Sequence, residues 1–145
     1  MPAKDIFHDV VKRALEKDGW IVSKEHLPLK FGTKNVFVDL GAELPLAAEK
    51  AGRKIAVEVK SLAEPGMMSE LEKAVGQYEI YRLALRRKEP ERRLYLAIPV
   101  DSAAELLNEV DALNLLEEVR IHLLVFDPQK ESIEQWIEQS NTDKS

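Results

Sequence analysis

Lys54-Ile55-Ala56-Val57-Glu58-Val59-Lys60 has the pattern of a strand at the centre of the chain's architecture. Its side chains alternate, with Ile55, Val57 and Val59 on one side of an extended strand and Ala56, Glu58 and Lys60 on the other. The first side is apolar and predicts core. The second sets a carboxylate and an ammonium beside an alanine, which leaves room for a ligand. Upstream, Val36-Phe37-Val38-Asp39-Leu40 is a second β-like run that carries an aspartate. An Asp on one strand and a Glu-x-Lys on its neighbour form the skeleton of a metal-dependent phosphodiesterase site. That reading requires the three side chains to converge on one open, wet pocket.

Working outward, Asp5 to Lys17 has helical spacing, and Asp18-Gly19 is its stop signal. Trp20 to Ser23 reads as a strand that resumes at Leu27 to Phe31 after a kink. Gly32-Thr33-Lys34-Asn35 reads as a turn, and a segment at 44–49 and a turn at 50–53 lead into the strand at 54–60. Glu64-Pro65-Gly66 breaks the chain. Ser69 and Glu72 form a capping box, predicting a helix from near residue 70 to about Arg87. Arg93 to Pro99 is apolar enough for a central strand, and Arg120 to Phe126 is another. Between them Ala103 to Glu118 reads as helix in two pieces, while Glu131 to Ile137 fits strand or helix equally. The expected architecture is α/β, a mixed sheet flanked by helices: a meander first, then right-handed crossovers that add parallel strands. Residues 1–140 form one domain in this reading, and 141–145 a frayed tail.

Composition narrows the chemistry. The 145 residues hold no cysteine, which excludes disulfides, thiolate zinc sites and cysteine nucleophiles. No apolar run reaches the roughly 18 residues of a membrane span, and no signal-peptide h-region opens the chain, so a cytoplasmic location is expected. The formal net charge of −5 is unevenly spread. Residues 101–145 carry eleven acids against three bases, leaving residues 1–100 with an excess of bases that suits a phosphate-bearing ligand.

Asp39 and Glu58 on adjacent strands would give Mg²⁺ or Mn²⁺ two hard carboxylate ligands, and the cation would relieve their mutual repulsion. The backbone carbonyl of Val59 is a further ligand in that scheme. Lys60 would orient the attacking water or stabilise charge on the phosphate. Taken alone, a Glu-x-Lys on a strand is most often a solvated edge or a cross-strand ion pair. Gln77 and Tyr81 lie one turn apart on the next helix with Tyr78 beside them, either as core aromatics and a surface amide or as groups aimed at the substrate.

Together, Asp39, Glu58-Val59-Lys60 and Gln77-Tyr78-Glu79-Ile80-Tyr81 resemble the PD-(D/E)XK nuclease superfamily, including the Gln-x-x-x-Tyr helix of its RecB-like branch. The chain also resembles the XisH family, the fdxN element excision controlling factors of heterocyst-forming cyanobacteria. The stretches that carry this likeness include Met1 to His8, Val38 to Glu43, Ala48-Glu49-Lys50, Ile55 to Ser61, Gly76-Gln77-Tyr78, Glu91-Arg92 and Leu94 to Pro99. The resemblance implies a restriction-endonuclease-like fold, α/β with a mixed sheet flanked by helices, and an endonuclease-like protein in DNA excision and recombination. It would act on DNA beside a companion protein, XisI, and a site-specific recombinase. It casts Asp39, Glu58 and Lys60 as catalytic, with Asp39, Glu58 and Val59 on a Mg²⁺ or Mn²⁺ ion. Gln77, Tyr81 and Tyr78 become substrate-binding residues, and His8 and Glu49 accessory ones. A homodimer, cutting both strands, is the matching expectation by analogy. Val38 stands where the superfamily's naming proline would be, and Asp5, His8 or Asp9 would stand in for a first-helix glutamate. The basic run Arg82, Arg86, Arg87, Lys88, Arg92 and Arg93 would follow a DNA backbone if it shared a side with Glu58. Alternatively, the protein is a non-catalytic module of the same fold that acts through its partners.

Overall fold

The computed structural model describes residues 6–44, 52–63 and 65–140. The segment expected at 44–49, Glu49, most of the turn at 50–53, and the tail at 141–145 fall wholly or mostly outside the described residues. A six-stranded mixed sheet runs in the order β1 (Ile21–Phe31), β2 (Lys34–Leu44), β3 (Arg53–Val59), β4 (Arg92–Pro99), β5 (Leu123–Asp127) and β6 (Ser132–Ile137). The first three strands form an antiparallel meander; β3–β4 and β4–β5 are parallel, and β6 returns antiparallel. Helix α2 (Met67–Lys88) makes the first parallel crossover; α3 (Val100–Leu107) and α4 (Val110–Val119) make the second. α1 (His8–Lys17) precedes the sheet. This is the mixed, helix-flanked sheet the sequence predicts, and it is compatible with a restriction-endonuclease-like fold.

Parallel strands with crossover helices are covered on both faces, and β3 obeys that rule. Val57 and Val59 pack with Val11 and Leu15 of α1, whereas Ala56 packs with Ala74, Tyr78 and Tyr81 of α2. The Ala56 side is therefore not an open surface, because α2 lies across it.

The helix expected from Ser69 begins earlier, at Met67, with Gly66 as N-cap and no side-chain capping bond. Gly66 sits at φ +97°, a conformation that glycine adopts without steric cost. Ser69 thus lies inside the first turn. The segment at 131–137 resolves as strand, pairing Trp136 with Leu124 and Gln135 with Val125.

β1 is one strand rather than two, with a register shift between Val22 and Lys24 and with His26 at φ +60°. Near that kink the β1–β2 hairpin changes face: Leu40 joins the α1 side of the core, and Val38 the α2 side. Gly41 allows a close approach there, since a Cβ would stand 3.2 Å from Arg92 Nη1 and 3.3 Å from Lys24 Cβ.

Candidate functional site

The β2–β3 ladder ends at Leu40↔Val57. Just beyond it, side chains take over from backbone pairing. The Val59 N–H donates to Asp39 Oδ2 at 2.8 Å, and the Asp39 N–H donates to Glu58 Oε1 at 3.2 Å. Each strand thus holds the other's backbone through a carboxylate, and the two acids are fixed side by side where the strands part. Lys60 lies one residue past β3, its backbone N–H bonded to Ala97 O on β4 and its Nζ 3.7 Å from Glu58 Oε2. The loop that follows is anchored, because Ser102 Oγ of α3 donates to Ser61 O and Leu62 O, and Leu62 is fully buried at φ +47°.

The open, wet pocket expected around these three side chains is not what the structure has, because the strands and α2 cover the two acids. Asp39 and Glu58 are each 7% exposed, and Lys60 is half-buried at the edge of the pair. Burial first, and the Asp39 charge second, push Glu58 up to about 8, against a smaller opposing pull from Lys60. Tyr81 shares this environment. Burial raises its hydroxyl above the usual range, and the charges of Glu58 and Asp39 raise it further, so it remains a donor at neutral pH. Gln77, one turn earlier on α2, has its Oε1 buried without a hydrogen-bond partner among the described residues.

Raising Glu58 has a testable consequence for stability. Between 4.5 and about 8 the folded protein holds a proton that the unfolded chain releases, so this group's contribution is present at low pH and lost as pH rises through 8. Glu58→Gln removes that dependence. Urea unfolding is expected to show the variant gaining on wild type from pH 6 to pH 8.5; a pH-independent difference contradicts the environment described for Glu58.

The other expected residues are placed differently. Tyr78 is a core tie: its hydroxyl donates to Leu94 O at 2.7 Å and accepts from the His122 N–H at 3.1 Å. With β4 and the residue just before β5 engaged and the ring buried, it has no free face for substrate. His8 joins Asp9 and Glu25, not the Asp39–Glu58 pair, in the one group of three potential metal ligands among the described residues. Lys12 Nζ already lies 2.8 Å from Glu25 Oε2, with His8 Nε2 3.1 Å from Oε1, so an ammonium occupies the place a cation would take. The group reads as an ion-pair network.

The basic run does not act as one patch beside Glu58: its members are dispersed, and Arg92 lies away from the acids. Lys54 pairs with Arg92 while Glu58 pairs with Leu96, so Arg92 sits four residues along the strands, roughly 13 Å away. Arg92 is buried as a clamp: Nη1 donates to Ile55 O at 2.9 Å, Nη2 meets Glu43 Oε2 at 3.1 Å and Nε meets Glu89 Oε1 at 2.8 Å. Arg82 bonds Glu79 and Arg120 O, and Arg93 pairs with Glu138. Arg87 and Lys88 reach another place, a groove of about 410 Å³ also lined by Lys30 of β1 and Ala84, with no acid on its walls. The clamp left a faint signal in the sequence, an arginine opening an otherwise apolar strand three residues after Glu89. The reciprocal Asp39–Glu58 backbone bonds left none.

Among the described residues no helix is long and apolar enough to cross a membrane. The XisH protein family model matches residues 1–134. An XisH family protein from Nostoc punctiforme PCC 73102 is 41% identical, with a TM-score of 0.82 over 92% of this chain and 99% of that one. An fdxN element excision controlling factor protein from Anabaena variabilis is 39% identical, with a TM-score of 0.83 over the same shares. No curated protein matches. A family match that runs nearly the whole length, with solved structures that agree in sequence and in fold, leads to one conclusion: the chain belongs to the XisH family.

Proposed function

We propose that this protein controls excision of a DNA element, in line with the Anabaena variabilis relative, which is named an fdxN element excision controlling factor, and does so as a metal-dependent phosphodiesterase of the PD-(D/E)XK type. The observation that carries the reading is the pair of buried acids held by each other's backbones where β2 and β3 part, with Lys60 beside them. Structural ion pairs do not need two neighbouring carboxylates 7% exposed with one ammonium at 3.7 Å. A divalent cation offsets that charge. Two carboxylates and the Val59 carbonyl suit Mg²⁺ or Mn²⁺, which keeps waters and takes substrate phosphate oxygens as further ligands.

When bound, the cation supplies charge neutralisation and a more acidic water. The remaining work falls to the chain. Lys60, half-buried at the rim, steadies charge developing on the phosphate. Tyr81 offers a hydroxyl donor and Gln77 an amide to hold the substrate. The acid-free groove at Lys30, Arg87 and Lys88 begins one turn along α2 from Tyr81, where it suits the phosphates of a DNA strand.

The test is cleavage of single-stranded, duplex and branched DNA with Mg²⁺ or Mn²⁺. We expect cutting with the metal, none with chelator, and none by Asp39→Asn; absence of cutting on every substrate would overturn the enzymatic reading. A second reading is favoured by the near-complete cover over the acids: a non-catalytic module of this fold, acting through an XisI-type companion or a recombinase. In that case Glu58→Gln leaves excision in cells unchanged.

A further inference from the structure

Residues 100–119 carry six acids (Asp101, Glu105, Glu109, Asp111, Glu117 and Glu118) and no lysine, arginine or histidine. They build α3 and α4, and only Leu116 of α4 is buried. Beside these helices the first turn of α2 adds Met67, Met68 and Leu71. The three helices enclose a groove of about 690 Å³ with an apolar floor that includes Leu106, Ala112 and Leu115 and a rim of Glu105, Glu109 and Asp111. Apolar side chains also stand out of the surface around it: Val110 is 69% exposed, Met68 65% and Leu113 42%.

Isolated exposed apolar residues are ordinary, but a contiguous groove with this border is not. The acids exclude the phosphate backbone of a nucleic acid, which a surface of this sign repels. The floor excludes a merely polar contact. Apolar side chains at helical spacing, with lysine or arginine on the flanks, would bury the floor and pair with the rim. Two adjacent methionines suit that use, because their flexible thioethers repack around varied apolar side chains.

We propose that this groove docks a basic amphipathic helix of a partner protein. Its position gives the contact a consequence. α2 begins seven residues after Lys60, and Ser102 of α3 holds the loop between them through Ser61 O and Leu62 O. A docked helix therefore lies at the same end of the sheet as Asp39 and Glu58 and braces the loop that carries Lys60. The inference does not depend on cleavage and would hold for a non-catalytic protein.

The methionines provide the test, since the full chain has only Met1, Met67 and Met68. With ¹³C-methyl methionine in the full chain, a leucine–lysine peptide of about five helical turns is titrated. A scrambled peptide of the same composition and a leucine–glutamate counterpart serve as controls. The expected result is saturable shifts of the Met67 and Met68 methyls with Met1 unmoved, and at least tenfold weaker binding of both controls. Combining Glu105→Lys, Glu109→Lys and Asp111→Lys, all exposed positions, is expected to weaken binding at least tenfold with unchanged circular dichroism. Equal binding of the scrambled peptide, or no effect of the triple variant, would overturn the proposal. So would Met67 and Met68 shifts that follow protein concentration without peptide, which would assign the groove to a second copy of the chain.

Discussion

Lys60→Ala is expected to lower metal-dependent DNA cleavage by at least 10²–10³-fold, the usual loss when a group aimed at transition-state charge is removed. The fold should survive, because the side chain is half-buried at an edge and, among the described residues, its ion pair is the 3.7 Å approach to Glu58. DNA binding should change far less than turnover, since Lys30, Arg87 and Lys88 are untouched. The loss belongs in kcat rather than KM. Lys60→Arg keeps the charge but spreads it over a planar fork, and should restore only part of the rate. Equal activity of Lys60→Ala and wild type would remove Lys60 from the chemistry and leave it as an ion-pair partner.

Arg92→Ala is expected to cost about 3–5 kcal/mol of folding stability, the range for breaking a buried charge network by removing one partner. Its guanidinium ties the Ile55 carbonyl of β3 to Glu43 of β2 and to Glu89 after α2, and its side chain is 4% exposed. Removing it takes the cation from two part-buried carboxylates, of which Glu43 keeps only the Ser23 hydroxyl at 2.8 Å among the described residues, and a donor from the Ile55 carbonyl. Arg92→Lys should not rescue it fully, because one ammonium cannot make divergent bonds in the plane of the fork. Urea unfolding monitored through the two tryptophans measures this. A cost below about 1 kcal/mol, the level of a surface pair, would mean that the clamp is replaceable.

Arg92 also shows why the sequence was readable only in part. The alternation at 54–60 and the apolar runs at 93–99 and 120–126 lead directly to β3, β4 and β5, since burial on both faces leaves its mark in composition. The order of elements yields the mixed sheet. Charge, by contrast, does not announce where it will be placed. Six cations from Arg82 to Arg93 look alike in sequence, yet Arg92 is buried as a clamp, Arg82 and Arg93 are paired, and Arg87 and Lys88 line a groove. Tyr78 and Tyr81 likewise differ only in their rotation about α2. That rotation sends one hydroxyl to Leu94 and His122 and sets the other among the charges of Asp39 and Glu58.

The start of α2 departs from the capping pattern for a local reason. Ser69 and Glu72 satisfy the capping pattern, but Gly66 in a left-handed conformation starts the helix one turn sooner. Within the candidate site, residue types and spacing could be read along the chain. The close fit of Asp39 and Glu58 could not, because it arises where β2 and β3 stop pairing, and no one-dimensional pattern encodes a ladder's end.

If Asp39 and Glu58 together hold a cation, isothermal titration of Mn²⁺ into wild type and Asp39→Asn at pH 8 will show it. One saturable event is expected in wild type, weakened at least about tenfold in the variant, a lower bound taken from the loss of even an indirect metal partner. Identical titrations of the two proteins, or no binding to wild type at millimolar metal, would contradict it.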